Sequence, residues 1–284
     1  MKRLLRILLM LLIVSLKNSE IFNKKVISSI SFNILIKGIF MKILVDRKNR
    51  KYIVRDEEFH SEMGVIPKED VVNARIGDVL ETHLGKKYTV IEANINDYIE
   101  LMDRNCSIIL PQDLGLVTGF TGIGYGSKIV ESGSGAGGSL LFFANIVGPE
   151  GHVSSYEIRE DFVEVIQRNI DGTDFNNITL YNQDVYEGFN EDDSSTDLVF
   201  IDLPKPADVL EDSYRILKTG GFIAVYTPYV EQFQLVYKVL SKYSFKLIKI
   251  RECNVRELEV RKNRTRPNSR MAGHTGYITF ARKM

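Results

Sequence analysis

The sequence predicts an α/β fold: a doubly wound, Rossmann-like sheet preceded by a small N-terminal β-rich domain. Three observations predict it. From about residue 106 onward, short apolar strands alternate with helical stretches, the pattern of a mostly parallel sheet with crossover helices. One of those strands, Lys128–Ser132, runs straight into Gly133-Ser134-Gly135-Ala136-Gly137-Gly138, a strand–glycine loop–helix junction. Ahead of residue 106 the strands are short, alternating and separated by turn-like stretches, as in a small β-rich unit.

Residues 1–40 open with Lys2, Arg3 and Arg6 before an apolar run, Ile7–Val14. This resembles the charged and apolar parts of a signal peptide. Ser15-Leu16-Lys17-Asn18 is a poor cleavage site, however, and the run falls short of the roughly 20 apolar residues that a span requires. The favoured reading is a spurious or targeting-like extension, with translation beginning at Met41. A short membrane-surface helix is the alternative, and an N-terminal peptide from the native protein separates the two.

Residues 41–105 form the β-rich domain, with strands at Lys42–Val45, Lys51–Val54 and Tyr88–Glu92 and turns at Asp46-Arg47-Lys48-Asn49 and Leu84-Gly85-Lys86-Lys87. It carries no catalytic constellation. Residues 106–284 form the catalytic domain. Strands Lys128–Ser132, Val153–Glu157, Ile178–Tyr181, Leu198–Asp202 and Phe222–Thr227 alternate there with helices Ser139–Ile146, Asp161–Ile170, Ala207–Leu217 and Val230–Leu240. Phe245–Arg251 and Tyr277–Arg282 close the series as an antiparallel pair.

A hydrophobic content of 44% with 26% charged residues is ordinary for a soluble globular protein. Cys106 and Cys253 form no C-x-x-C pair, which excludes a zinc ribbon and argues against a disulfide framework. A reducing, cytoplasmic compartment is the default, with no membrane partner. His60, His83, His152 and His274 are scattered without metal-ligand spacing, so no metal is expected. The net charge of zero hides an asymmetry. Residues 1–40 hold seven Lys/Arg against one acid, residues 246–284 eleven against three, and the body between them 19 against 33. An acidic body with a basic C-terminal arm docks an anionic partner through that arm.

In the loop, glycines let the backbone approach a ligand with no Cβ in the way, and the helix that follows offers unpaired N–H groups. The pattern is weak alone. Glu157, at the end of the next strand, adds a carboxylate able to take both hydroxyls of a ribose. Asp184, ending the third strand, and Asp202, ending the fourth, converge on the same crevice, because ligands of doubly wound sheets sit at the carboxyl ends of the strands. A nicotinamide enzyme shares the pattern, since Gly138 also satisfies the longer glycine spacing, but no His or Tyr-x-x-x-Lys is placed for hydride transfer. The turn Leu217-Lys218-Thr219-Gly220-Gly221-Phe222 is similar to one in the class I methyltransferase sheet.

Asp202-Leu203-Pro204-Lys205-Pro206 follows an apolar strand. Methyltransferases acting on amino groups place an acidic or amide residue followed by Pro near this point. When a ring nitrogen attacks a sulfonium methyl, positive charge grows on the base. A carboxylate accepting from the neighbouring exocyclic amine stabilises that charge. A helix-capping Asp is the plainer alternative.

The sequence resembles the tRNA adenine-N1 methyltransferase family that modifies the T loop, particularly its archaeal members. The likeness runs from about Met41 to the C-terminus through Leu110-Pro111-Gln112-Asp113, Val130–Gly137, Val147-Gly148-Pro149-Glu150-Gly151, Tyr156–Asp161, Asp202–Pro206, Tyr226-Thr227-Pro228, and the tail Arg264-Thr265-Arg266-Pro267 with His274-Thr275-Gly276-Tyr277. The resemblance implies a homotetramer that uses S-adenosylmethionine to methylate N1 of adenine 58, and in some archaeal relatives 57. By it, Gly133, Ser134, Gly135, Ala136, Gly137, Gly138, Glu157, Asp184 and Val185 would hold the cofactor, with Asp202 beside methyl and base. Arg264, Arg266 and Arg270 can neutralise phosphate and stack on extruded bases. His274 reads as a structural or RNA-contacting residue, since N1 of adenine needs no base at neutral pH. The chain departs from the family pattern at Gly138, where a β-branched, small or hydroxyl residue is common, and in residues 1–40, which have no counterpart. The alternatives are a class I methyltransferase with another substrate and a non-catalytic tRNA-binding subunit; the intact loop and Asp202 argue against the second. Intersubunit cross-links through Cys106 or Cys253 stay open.

Overall fold

The computed structural model describes residues 42–54, 57–270 and 272–284. The charged and apolar stretch within 1–40, and Met41, lie outside the described residues. Lys42–Met284 cluster as one compact unit. Among the described residues no helix is long and apolar enough to cross a membrane, and no group of three or more His, Cys, Asp or Glu is placed to hold a metal ion.

The N-terminal part is built from β1 (Lys42–Asp46), β2 (Lys51–Ile53), β3 (Phe59–Ser61), β4 (Gly64–Ile66), α1 (Lys68–Asn73), β5 (Val79–Glu81) and β6 (Lys87–Glu92). Its antiparallel sheet has the order β2-β1-β6-β5, and β3 pairs with β4 in a separate hairpin. The alternation in β1 puts Leu44 inward with Ile66, Val71, Tyr88 and Val90. Tyr52, Phe59 and Tyr88 meet edge to face, with ring centroids 5.2–5.6 Å apart. The β1–β2 turn is set by Asp46, whose carboxylate accepts from the backbone N–H groups of Lys48 and Arg50. The strands β3, β4 and β5 and the helix α1 went unread in the sequence because three- to six-residue elements complete too few periods to register.

Two helices bridge to the main sheet: α2 (Ile95–Leu101), capped by Asn94 and Asp97 in a reciprocal capping box, and α3 (Pro111–Thr121), with proline in its first turn. The main sheet then alternates strand and helix: β7 (Lys128–Ser132), α4 (Gly138–Val147), β8 (His152–Glu157), α5 (Glu160–Asp171), β9 (Ile178–Asn182), β10 (Thr196–Ile201), α6 (Leu210–Ile216), β11 (Leu217–Thr227), α7 (Val230–Leu240), β12 (Phe245–Glu252), the hairpin β13 (Leu258–Arg261) and β14 (Arg264–Pro267), and finally β15 (Tyr277–Lys283). Its order is β12-β15-β11-β10-β7-β8-β9, with β15 antiparallel to both neighbours and the remaining pairs parallel. This is the doubly wound sheet the alternation predicts.

From β7 the chain steps outward through β8 to β9, then returns to the other side of β7 to lay down β10 and β11. The gap between the ends of β7 and β10 is therefore the topological switch point, where such sheets bind ligands. The strands that border it are buried over most of their length: Ile129 and Val130 in β7, Leu198, Val199, Phe200 and Ile201 in β10. The first turns of α4 are fully sequestered as well, with Leu140, Leu141 and Phe143 at 0% exposure. Each such side chain contributes about 1.5–3 kcal/mol of burial, which fixes the helix start against the sheet.

Two boundaries differ from the sequence reading for one reason. The predicted helix Ala207–Leu217 is a 3₁₀ turn over Pro206–Val209 followed by α6, and β11 begins at Leu217 rather than Phe222. Leu217 pairs with Thr196, and the register then jumps so that Leu198 faces Phe222. Gly220, at φ +86°, absorbs the extra residues. Strand pairing captured residues whose local pattern reads as helix and turn.

Candidate cofactor and substrate site

The glycine loop occupies the switch point. Gly133 has φ +84°, and a Cβ on it would overlap the backbone carbonyl oxygen of Asp202. Asp202 in turn donates its N–H to the Ser132 carbonyl at 2.9 Å. The ends of β7 and β10 are thus pressed together by a contact that only glycine permits. Gly137 is the N-cap of α4 at φ +87°, with no side-chain cap, so no capping side chain occupies the first N–H groups of the helix. Ala136 and Gly138 are buried within this turn. The Gly138 position faces Ile108 so closely that an added Cβ would need Ile108 to give way by a few tenths of an ångström.

Glu157 ends β8 and is 5% exposed. Its Oε2 accepts from the Gly135 N–H at 3.1 Å, and its Oε1 from the Arg159 N–H at 3.1 Å and Nε at 3.3 Å. The carboxylate is thereby held beside the loop with lone pairs to spare. Asp184 lies two residues past the end of β9; its carboxylate accepts from the Tyr186 N–H at 2.9 Å and caps a 3₁₀ turn, Val185–Glu187. Val185 turns its side chain into the hydrophobic core. The Tyr186 hydroxyl accepts from the Lys205 N–H at 3.2 Å, which ties this turn to the Asp202 loop. Asp202 itself stands one residue past β10, half-buried, and burial pushes its carboxyl up to about 6. The structure therefore brings together the loop, Glu157, Asp184 and Asp202.

The basic tail is a separate feature. Arg264 and Arg266 stand on β14 of an exposed two-stranded hairpin, and Arg270 follows it, also exposed. Glu259 pairs with Arg261 on its own strand at 2.5 Å and across the hairpin with Arg266 at 3.4 Å. His274 lies apart from them. Its Nδ1 is 2.6 Å from Glu252 Oε1 and its Nε2 is 2.9 Å from the Pro228 carbonyl oxygen. With an acceptor at each ring nitrogen, the imidazolium is favoured, and the Glu252 hydrogen bond, followed by that of Pro228, raises the pKa. Next to it, the Thr275 hydroxyl donates to Asp113 Oδ1 at 3.1 Å, and the Thr275 backbone carbonyl accepts from the Tyr226 hydroxyl.

Several supports of the site went unread in the sequence. Asn169, 3% exposed on α5, donates to the Ala136 carbonyl at 2.9 Å and the Asp103 carbonyl at 2.7 Å, bracing the loop from below. Glu131 and Ser155 lie beneath the loop in neighbouring strands. Asp113 sits fully buried in the first turn of α3, and burial raises its carboxyl. Their signal was a polar residue at a position the strand or helix pattern assigns to the core, as Glu131 follows Ile129 and Val130 in a central strand.

Comparison with known proteins agrees with this geometry. Residues 98–269 match the family described as the tRNA methyltransferase complex GCD14 subunit. The chain is 32% identical over 270 residues to the tRNA (adenine(57)-N(1)/adenine(58)-N(1))-methyltransferase TrmI of Methanocaldococcus jannaschii, covering 85% of this chain and 94% of that protein. It is 31% identical over 245 residues to the tRNA (adenine(58)-N(1))-methyltransferase TrmI of Thermus thermophilus, covering 85% and 96%. A crystal structure of a SAM-dependent O-methyltransferase from Thermotoga maritima superposes with a TM-score of 0.78 at 29% identity, over 86% of this chain and 92% of that one. A class I methyltransferase sheet, its glycine loop and acidic groups gathered at one switch point, and these matches over most of the length lead to one conclusion: the chain belongs to the GCD14/TrmI family of tRNA methyltransferases.

Proposed function

We propose that this protein transfers a methyl group from S-adenosylmethionine to N1 of adenine in the T loop of tRNA, at the position 58 named for both relatives and, as the Methanocaldococcus name allows, at 57. The observation that carries the reading is Asp202, held against Gly133 at the switch point of a chain about one-third identical to tRNA adenine-N1 methyltransferases.

The residues at the strand ends fit the cofactor. Gly133 leaves room where a Cβ would intrude, the α4 N-terminus offers uncapped N–H groups, and Glu157 presents a pinned carboxylate suited to a pair of ribose hydroxyls. Ser134, Gly135, Ala136, Gly137 and Gly138 form the loop after β7, and Asp184 and Val185 the turn after β9. When bound, the cofactor supplies an electrophilic methyl on a sulfonium. The chain's task is then to orient adenine and to stabilise the positive charge that grows on its ring. Asp202, ionised above about pH 6, accepts from the exocyclic amine and favours the charged product. Pro204 and Pro206 stiffen the loop that carries it. The adenine must leave the T-loop fold to reach Asp202, and Arg264, Arg266 and Arg270 on the exposed tail hold the RNA backbone through charge. In this reading residues 106–284 are the catalytic domain and the β-rich part, 41–105, an accessory one. Exposed Leu258 and Val260 on the hairpin suit burial between subunits of a homotetramer.

The test incubates the full chain with labelled S-adenosylmethionine and an unmodified tRNA transcript, followed by nucleoside analysis. N1-methyladenosine is expected. Label confined to protein, or a methylated hydroxyl in place of the ring nitrogen, would sink the reading.

A further inference from the structure

A chain of hydroxyls runs beneath the glycine loop, and its protons can be counted. The Ser134 hydroxyl lies 3.0 Å from the Tyr156 carbonyl oxygen, 2.5 Å separates Ser134 Oγ from Ser155 Oγ, and Ser155 Oγ is 2.7 Å from Glu131 Oε1. A carbonyl can only accept, so Ser134 spends its one proton on Tyr156. Ser155 must then donate to Ser134 and has nothing left for Glu131. The third link closes only if the Glu131 carboxyl supplies its own proton to Ser155. All three links therefore require Glu131 as the neutral acid.

We propose that Glu131 is a positioning residue that works in its protonated form: its carboxyl proton, relayed through Ser155 and Ser134, anchors the glycine loop in its cofactor-binding shape. Ionised Glu131 would demand the Ser155 proton. Ser155 could then only accept from Ser134, so one link is lost: Ser134 either leaves the Tyr156 carbonyl or lets go of Ser155, and in both cases Glu131 no longer holds the loop to that carbonyl. That carbonyl also receives the Gly133 N–H at 3.1 Å, so it is the dock for the first two residues of the loop.

The surroundings favour the neutral acid. Glu131 is 1% exposed, and its Oε2 has no hydrogen-bond partner among the described residues. Burial raises its carboxyl to about 7. The hydroxyls of Ser155 from β8, Ser139 from α4 and Ser134 from the loop pull the carboxyl back down, burial outweighs them, and Asp202 past the end of β10 pushes in the same direction as burial. Asp202 is the charged one, and a second negative charge beside it is disfavoured. Protonation is thus retained below about pH 7 and lost above it, so the anchor weakens as pH rises.

The proposal deepens the cofactor reading and rests on it for one arm only. The full chain without tRNA is studied from about pH 6 to about pH 8.5, on either side of the expected transition. Infrared difference spectra of wild type against Glu131→Gln should contain a protonated carboxyl band at the acid end. Amide protection over residues 133–138, with the intrinsic rise of exchange with pH divided out, should fall as that band fades and stay level in Glu131→Gln. Affinity for S-adenosylhomocysteine should fall roughly tenfold across the range, the value of one lost anchoring hydrogen bond. Glu131→Gln, which keeps a donor at every pH, should restore acid-end affinity and abolish the pH dependence. Ser155→Ala should be weak throughout. An ionised Glu131 at the acid end, or the same pH dependence in wild type and Glu131→Gln, would overturn the proposal. Neither infrared nor exchange depends on methyl transfer, so a failure of the catalytic reading leaves them intact.

Discussion

The two ends of the candidate site are built on opposite principles. At the switch point every functional group is cross-braced. Gly133 abuts Asp202, Gly135 donates to Glu157, Asn169 holds Ala136, and Tyr186 joins the β9 and β10 loops. In the β13–β14 hairpin the arginines touch little beyond Glu259, and Leu258 and Val260 stand 62% and 78% exposed. The cofactor end needs ångström placement for in-line transfer, which only packing supplies. In the proposed reading the hairpin supplies only charge near an RNA backbone, a role that tolerates slack because the attraction is long-ranged and non-directional. The contrast teaches that the first end should fail through geometry and the second through electrostatics.

The largest effect is expected from Gly133→Ala. A methyl group at φ +84° against the Asp202 carbonyl cannot be relieved by a side chain. Left-handed strain plus displacement of the β10 end should cost about 3 kcal/mol or more. Thermal denaturation should show a lower Tm, and calorimetry should show loss of S-adenosylhomocysteine binding. Near wild-type behaviour in both would break the idea that this end works by geometry.

Asp202→Ala should come next. Here kcat is expected to fall about 10²–10³-fold, the scale of one lost transition-state electrostatic partner, while S-adenosylhomocysteine affinity stays within a few-fold. The sign of its pH dependence follows from the raised carboxyl. Asp202 is neutral below about 6, so kcat should rise with pH through that value, and the limb should vanish in Asp202→Ala. Equal loss of binding and turnover would reassign Asp202 to the cofactor.

The smallest effect belongs to the hairpin. Arg264→Ala with Arg266→Ala should raise the tRNA KM with kcat little changed, and should reduce the slope of log affinity against log salt by about 1 for each arginine. Tm should hardly move, because both side chains are exposed. A large loss of kcat or of stability would show the hairpin to be a precise structural element after all.

Legibility in the sequence divides along the same line. The strands of the main sheet were readable because β7, β8, β10 and the helices α4, α5 and α7 are long enough to express a hydrophobic period. The glycine loop, Glu157 and Asp202 were readable because each sits at a strand end, a position the alternation itself marks. The hairpin was read as a basic tail only, since β13 and β14 are four residues each and exposed throughout most of their length, with no buried face to leave a pattern. Asn169, Ser155 and Asp113 were passed over, because a polar residue inside a helix or strand says nothing locally about which distant carbonyl or hydroxyl it meets.

The sequence by itself determined the alternation of strands and helices in the main sheet, the residue types available at the strand ends, and where the positive charge lies. Those follow from side-chain periodicity and residue type, which are local properties of the chain. Tertiary structure alone decided that Gly133 faces the Asp202 carbonyl, that β11 starts at Leu217, and that His274 is held between Glu252 and Pro228. It also decided that Glu131 shares one hydroxyl chain with Ser155 and Ser134. Each of these is a meeting of residues far apart in the chain, and the packing of the folded sheet, rather than any local preference, sets which groups are close enough to share a proton or exclude a methyl.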